Sequence, residues 1–193
     1  MKEKIQKHIN TKIIGNNIIE YETIPSTQKE ARKLAEEKIQ NGTMIITKEQ
    51  TEGIGTHDRK WHTTKGKNMT LTLVIYPTCK MEELDNLTIE IAESMVSTIF
   101  QLCGKKLQIK KPNDIMYEGK KIGGILTQVI TQGETIKYLL IGIGFNINEE
   151  SFPKELEKIA TSLKVAFKKE YQVEEIVAEF CNQLEDKIEK LLI

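Results

Sequence analysis

This 193-residue sequence is poor in aromatic residues, 6% Phe, Trp and Tyr, and has a single tryptophan, Trp61. Its core must therefore be aliphatic, and 39% apolar residues over this length suffice for one domain with a substantial core. Net charge is also missing, because 28 Lys plus Arg offset 28 Asp plus Glu. That excludes the sequence-independent grip on DNA or RNA that a broadly basic face provides, though a zero sum leaves room for a local basic patch. No run approaches the roughly 18 apolar residues of a membrane-spanning helix. Met1-Lys2-Glu3-Lys4-Ile5 lacks the apolar core of a signal peptide. Cysteines are three, Cys79, Cys103 and Cys181, too few and too scattered for a disulfide framework or a zinc site, and they read as reduced thiols of a cytoplasmic protein. His8, His57 and His62 show no metal-ligand spacing. Repeats, low-complexity tracts and linkers are absent too, so residues 1–193 are expected to form one domain.

What is present is an alternation of helical and strand-like patterns. Ile13-Ile14 and Ile18-Ile19-Glu20-Tyr21 flank Gly15-Asn16-Asn17 and predict a hairpin. Ser26 or Thr27 can cap a helix reaching about Gln40, with Ala31, Leu34, Ala35 and Ile39 as its apolar positions. Thr43 to Lys48 reads as a strand. Met69 to Tyr76 alternates like a half-buried strand, with Thr70 and Thr72 on the wet face. Glu82 to Leu102 is predicted as a long amphipathic helix, followed by strands at Leu107 to Ile109, Ile122 to Ile130 and Ile136 to Ile143, with Gly133 in the last turn. Two helices, about Pro153 to Ala160 and Val173 to Leu192, close the chain; Ile176, Phe180, Leu184, Ile188 and Leu191 recur at helical spacing in the second. The order predicts an α/β (α+β) fold with a mixed, largely antiparallel sheet flanked by helices.

Three stretches have the composition of a binding site. The polar stretch from Gln50 to Asn68 is long for an ordinary connection. Within it Gly53-Ile54-Gly55-Thr56-His57-Asp58-Arg59-Lys60-Trp61 can bend sharply and present N–H groups, with His57, Arg59 and Lys60 able to meet anions and Trp61 to cover a ring. A solvated loop anchored by a core tryptophan is the plainer reading. In Lys110-Lys111-Pro112-Asn113-Asp114, Pro112 restricts Lys111 to extended geometry and Asn113 and Asp114 favour a turn. Six lysines between Lys105 and Lys121 exceed what a turn needs and fit a phosphate ligand. Lys121-Ile122-Gly123-Gly124 sets paired glycines in a strand, where backbone passes close to something else. Finally, Ile141-Gly142-Ile143-Gly144-Phe145-Asn146-Ile147-Asn148 leaves one strand face bare, either for a flat ring or for close packing; it is no dinucleotide fingerprint, since no helix follows. Glu149-Glu150 reads as a solvated loop end.

In order along the chain, Ser26-Thr27, Gln50-Thr51-x-Gly53-x-Gly55, Arg59-x-Trp61, Asn68, Lys110-x-Pro112-Asn113-Asp114, Lys121-x-Gly123-Gly124-Ile125-Leu126 and Gly142-x-Gly144-x-Asn146-x-Asn148 resemble the catalytic domain of biotin protein ligases. The resemblance is strongest over residues 20–150, and 151–193 is a helical C-terminal segment. It implies a fold like that of class II aminoacyl-tRNA synthetases. It also implies a two-step reaction: biotin and ATP give biotinyl-5′-AMP with Mg²⁺ assistance, and a lysine of a biotin carboxyl carrier domain then takes the biotinyl group. By resemblance Lys121, Asp114 and Lys110 are the catalytic set, with Lys121 touching both the biotin carboxylate and the α-phosphate. Ser26, Thr27 and Gln50 would bond the ureido ring, and Gln28, Ile54, Gly55, Thr56, Trp61, Gly123 and Gly124 would complete the biotin site. Arg59, Asn113 and Asn146 would serve ATP. No metal is expected to be bound by the protein itself; magnesium would come with ATP.

The sequence departs from the family pattern in places. The family loop commonly reads Gly-Arg-Gly-Arg-x-Gly-Arg-x-Trp, whereas Ile54 and Thr56 stand at the first two arginines and Asp58 at a glycine. Lys111 replaces a tryptophan and Gln28 an asparagine. Neither the N-terminal winged helix of some members nor the C-terminal β-barrel of most is expected, so no operator binding is predicted; a homodimer stays open. The alternatives are a ligase for lipoate or another short acid, and a non-catalytic biotin sensor.

Overall fold

The computed structural model describes residues 1–56 and 59–192. Seven strands form one sheet: β1 (Ile18–Ile24), β2 (Thr43–Gln50), β3 (Met69–Ile75), β4 (Gln108–Lys110), β5 (Asp114–Tyr117), β6 (Lys120–Gln132) and β7 (Thr135–Phe145), in the order β1-β2-β3-β7-β6-β5-β4. β1 and β2 are parallel and every other pairing is antiparallel. The helices are α1 (Lys2–Gln6), α2 (Thr27–Glu36), α3 (Leu87–Cys103), α4 (Leu163–Phe167) and α5 (Val173–Leu192). The parallel pair requires a crossover, and α2 supplies it. The mixed sheet with flanking helices is the architecture the sequence pattern predicts.

Helices cover both faces. On one side α1, α3 and α5 bury the larger aliphatic core, with Ile91, Met95 and Ile99 of α3 and Ile176, Phe180, Leu184 and Ile188 of α5 against Leu71, Leu73 and Ile141. On the other, α2 sets Ala31 and Ala35 against Ile45, Val74, Tyr138 and Leu140. β3 is therefore buried along its whole length, not half-exposed as its alternation predicts. The polar face of that alternation is Thr70 and Thr72, which meet a cavity instead of water.

Several boundaries differ from expectation for local reasons. No hairpin forms at Ile13–Ile19. Glu185 of α5 instead accepts the N–H groups of Lys12, Ile13 and Ile14, which denies that stretch a strand partner. α2 stops at Glu36, short of Gln40, and Lys38 takes a positive φ of 57°. Ser26 sits at its N-cap without a side-chain cap bond, and Gln50 Oε1 accepts the Thr27 N–H at 2.7 Å in its place. The helix expected from Glu82 begins at Leu87, after a 3₁₀ turn over Met81–Leu84. The segment expected as a helix at 153–160 is a run of turns ending in a bridge at Ala160. Glu149 is buried, 4% exposed, and accepts from Asn68 Nδ2; only Glu150 is the solvated member of that pair, bonded to Lys67 and Lys164. No helix among the described residues is long and apolar enough to cross a membrane. All three cysteines are free, and burial raises the pKa of each thiol, which keeps them protonated near neutrality.

Tyr138 ties α2 to β7. It is fully buried and donates to Glu36 Oε1 at 2.5 Å. Burial first, and the bond to Glu36 second, push its hydroxyl pKa up to about 12. The unfolded chain releases that proton near pH 10, so the stabilisation is complete below pH 10 and is lost as pH rises through 12. Urea unfolding should therefore show stability falling by about 2–3 kcal/mol between pH 10 and 12. Tyr138→Phe should remove that share of the loss, and an unchanged alkaline slope in the variant would count against the assignment.

Candidate active site

Cross-strand register builds a platform of small residues. Thr70 of β3 lies opposite Gly144 of β7, Gly144 opposite Gly124 of β6, and Gly124 opposite Asp114 of β5. The next row sets Thr72, Gly142 and Leu126 side by side. These rows floor a cavity open to solvent, with about 440 Å³ of empty space, roofed by Ile54, Gly55, Thr56 and Trp61 of the loop after β2. The strand face that the sequence leaves bare is occupied by the protein's own groups. A Cβ on Gly144 would stand 2.3 Å from the Trp61 ring, and one on Gly142 2.5 Å from Gln28 Oε1.

A β-bulge turns Lys121 into this cavity. Met116 and Ile115 pair with Lys121 and Gly123, so Ile122 is the extra residue. Regular alternation would put Lys121 and Gly124 on opposite faces, and the extra residue re-aims the lysine onto the Gly124 face. Its ammonium makes an ion pair with Asp114 Oδ1 at 2.6 Å and lies 5.6 Å from the centre of the Trp61 ring. Gly124 leaves room for the Lys121 side chain, whose Nζ would stand 3.1 Å from a Cβ there. Gly123 faces the other way, against the ring of Phe145, so its lack of a side chain serves packing and not the cavity. Both backbone groups of Lys121 are engaged by the segment before α4: its N–H donates to Ile159 O and its carbonyl accepts from Thr161 N, each at 2.8 Å.

The closed end of the cavity is polar. Thr27 Oγ1 donates to Gln50 Oε1 at 3.0 Å, and Thr72 Oγ1 reaches Thr27 and Gln28. Ser26 Oγ and Thr70 Oγ1 are buried and find no hydrogen-bond partner among the described residues. Buried hydroxyls left unpaired are costly, and a polar ligand would satisfy them.

A second cavity, also open to solvent and with about 710 Å³ of empty space, lies beyond Trp61. It shares Gly55, Thr56, Trp61 and Lys121 with the first, and its far wall is Phe152, Leu156, Ile159 and Ala160. Arg59, Lys60 and His62 border it, and Arg59 bonds Thr56 through its guanidinium. Asn146 borders it too, but its amide nitrogen is held by the Thr161 carbonyl at 3.0 Å. The loop closes on itself through a bridge between Ile54 and Lys60 and a bond from Trp61 N to Gly53 O. His57 and Asp58, read from the sequence as an anion contact and a glycine substitute, lie outside the described residues.

Of the residues singled out in the sequence, Ser26, Thr27, Gln28, Gln50, Ile54, Gly55, Thr56, Trp61, Lys121 and Gly124 line the first cavity. Asn113, expected on the nucleotide side, lines it as well, and ties its turn to β6 through Ile125 O at 3.1 Å. Lys110 is exposed at the end of β4 and borders neither cavity. The dense lysines do not converge: Lys105 lies over Phe167, Lys120 donates to Glu157 O, and only Lys121 of the six lines either cavity. Sequence reasoning missed Thr70 and Thr72, whose alternation was the signal, and the apolar wall from Phe152 to Ala160, which a helix pattern masked.

The biotin/lipoate A/B protein ligase family model matches residues 20–146, the span from β1 to the end of β7. The chain belongs to this family. Among its relatives, the bifunctional ligase/repressor BirA of Bacillus subtilis (strain 168) is 35% identical over 165 residues, covering 84% of this chain and 51% of that protein. The human biotin–protein ligase is 30% identical over 156 residues, 77% of this chain and 21% of that one. The chain thus spans about half the length of its Bacillus relatives and 21% of the human one. The Leishmania major biotin protein ligase solved with biotinyl-5-AMP superposes with a TM-score of 0.74 at 26% identity, covering 91% of this chain and 76% of that one. The Aquifex aeolicus biotin protein ligase solved with biotin and ATP superposes with a TM-score of 0.78 at 24% identity, over 91% and 71% of the two chains, and at that identity speaks for the fold.

Proposed function

We propose that this chain activates biotin as biotinyl-5′-AMP and passes the biotinyl group to a lysine of a biotin carboxyl carrier domain. The observation that carries the reading is the position of Lys121 in the wall common to both cavities. A carboxylate and a polyphosphate repel each other, and a cation between their two chambers is what lets them meet. In the proposed reaction a biotin carboxylate oxygen attacks the α-phosphorus of ATP, the bond to the bridging oxygen breaks, and pyrophosphate leaves. The carrier amine then attacks the carboxyl carbon of the mixed anhydride; AMP leaves, the amine loses a proton and an amide remains. Asp114 holds the Lys121 ammonium at the junction. Among the described residues no three His, Cys, Asp or Glu side chains converge as metal ligands. Magnesium would travel with the nucleotide phosphates, whose oxygens suit it.

The polar end of the first cavity favours biotin over lipoate. Ser26 Oγ and Thr70 Oγ1 need hydrogen-bond partners, which a cyclic urea offers and an apolar dithiolane does not. A site that hydrogen-bonds its substrate rejects analogues lacking those groups by large factors. Pyrophosphate release with Mg²⁺ and ATP should therefore be at least about 10²-fold faster, as kcat/KM, with biotin than with lipoate or octanoate. A carrier domain added to the biotin reaction should gain the mass of one biotinyl group. Equal rates with all the acids would defeat the substrate assignment, and no pyrophosphate with any of them would defeat the ligase reading.

A further inference from the structure

The polar end of the first cavity connects to the molecular surface through a chain of hydrogen bonds whose fixed ends decide how each amide in it points. At the outer end stands Arg32 on α2, exposed, with a guanidinium that can only donate. It donates to Gln128 Oε1 on β6 at 3.2 Å, so Gln128 turns its oxygen toward α2. Gln28 Nε2 donates to that same oxygen at 3.2 Å and faces the Leu126 carbonyl, which can only accept, at 3.5 Å. Two acceptors on one side settle the oxygen–nitrogen ambiguity of the Gln28 amide: nitrogen outward, oxygen inward. That oxygen fills the space above Gly142, in the cavity wall, and Gln28 is only 6% exposed.

The hydroxyls complete the direction of the chain. Thr72 Oγ1 lies 2.9 Å from Thr27 Oγ1 and 3.0 Å from Gln28 Oε1 and has one hydrogen to give. The hydrogen of Thr27 goes to Gln50 Oε1, at 3.0 Å, so Thr27 Oγ1 is free to accept the one from Thr72. Gln28 Oε1 has two lone pairs, so it keeps acceptor capacity for a group that enters the cavity even where Thr72 donates to it.

We infer that Gln128 and Arg32 are positioning residues that hold Gln28 with its oxygen toward the cavity, and so make this end select a ligand that presents a ring N–H donor. The inference rests on the biotin reading above, in which the donor is an N–H of the cyclic urea. Gln128 and Arg32 themselves lie outside the cavity lining. Their action is on polarity alone: an amide free to turn over would present N–H to N–H and repel the same ligand.

The test compares wild type, Gln128→Met, Gln128→Glu and Arg32→Met by titration calorimetry and steady-state adenylation. Ligands are biotin and its two singly N-methylated ureas, and thermal midpoints without ligand report folding. Gln128→Met should raise Kd and KM for biotin about tenfold, leave kcat at saturating biotin unchanged, and erase most of the preference for biotin over one methylated form. Gln128→Glu keeps an acceptor for both Arg32 and Gln28 and should restore wild-type affinity. Arg32→Met, an exposed change that folding tolerates, should shift Kd in the same direction by a smaller factor and decides the matter if Gln128→Met is unfolded. A folded Gln128→Met with wild-type discrimination, or a Gln128→Glu as impaired as the methionine variant, would sink the inference and leave the biotin reading standing. A wild-type protein that binds no biotin would remove both.

Discussion

Replacing Lys121 by alanine should cut biotinyl-5′-AMP formation by about 10³-fold while the protein stays folded and still binds biotin. One preorganised group that meets charge developing in the transition state is worth about 10²–10³ in rate. Here the loss should fall at or above the upper end, because the deletion also leaves Asp114 uncompensated beside two incoming anions. Both side chains are partly exposed, 30% and 21%, so solvent and the fold absorb the change without collapse. The same geometry predicts coupling. Asp114→Asn in the Lys121→Ala background removes the repelling carboxylate, and the double variant should recover about tenfold over Lys121→Ala alone. Lys121→Arg should not restore the rate, since a planar fork is bulkier than an ammonium and Gly124 and Trp61 leave little room. Isotope exchange between pyrophosphate and ATP, with biotin present, reads the first step directly. Exchange by Lys121→Ala within tenfold of wild type would show that the junction cation is not the group that joins the two anions.

Lys121 could be found in the sequence because glycines beside a lysine carry a physical reason that does not depend on the fold. Its five neighbouring lysines could not be sorted from it. Only the bulge at Ile122 decides which lysine turns inward, and a bulge leaves no periodic trace. The helix α5 was legible because its apolar positions repeat through five turns. The hairpin expected at Ile13–Ile19 failed because its competitor, the Glu185 carboxylate, lies some 170 residues away in sequence. Thr70 and Thr72 show a subtler limit. Alternation tells which residues leave the apolar core, but water and a polar cavity look alike from one strand. The segment 153–160 looked helical by spacing, and Leu156, Glu157, Ile159 and Ala160 do make local turn bonds, but the Ile159 carbonyl is taken by Lys121 N of β6 and the turns do not continue as a helix. The platform itself was half-visible: the alternating glycines promised a bare face, and the single tryptophan promised a ring, but nothing local said that one would lie on the other.

That contact carries the second large effect. Gly144→Ala adds one methyl group, and its carbon would stand 2.3 to 2.6 Å from three atoms of the Trp61 indole. The rest of β7 is fixed by ladders to β3 and β6, so the strand cannot yield. Among the described residues, the bonds around Trp61 run within its own loop, from Gly55 N to Arg59 O and from Trp61 N to Gly53 O, and so the indole must move. Moving it opens the wall between the two cavities and removes the ring beside the Lys121 ammonium. The cost in stability should be modest, about 1–3 kcal/mol, because the strain is relieved in a loop. Adenylation, which needs both reactants held in register, should fall by about 10²-fold. Trp61 is the sole tryptophan, so its emission reports the displacement without a label. The Nε1 of Trp61 is buried in the native protein, and the variant's emission should shift to the red and become accessible to iodide quenching. An emission spectrum and an adenylation rate that both match wild type would mean that the indole does not rest on Gly144, and the partition between the two chambers would have to be sought elsewhere.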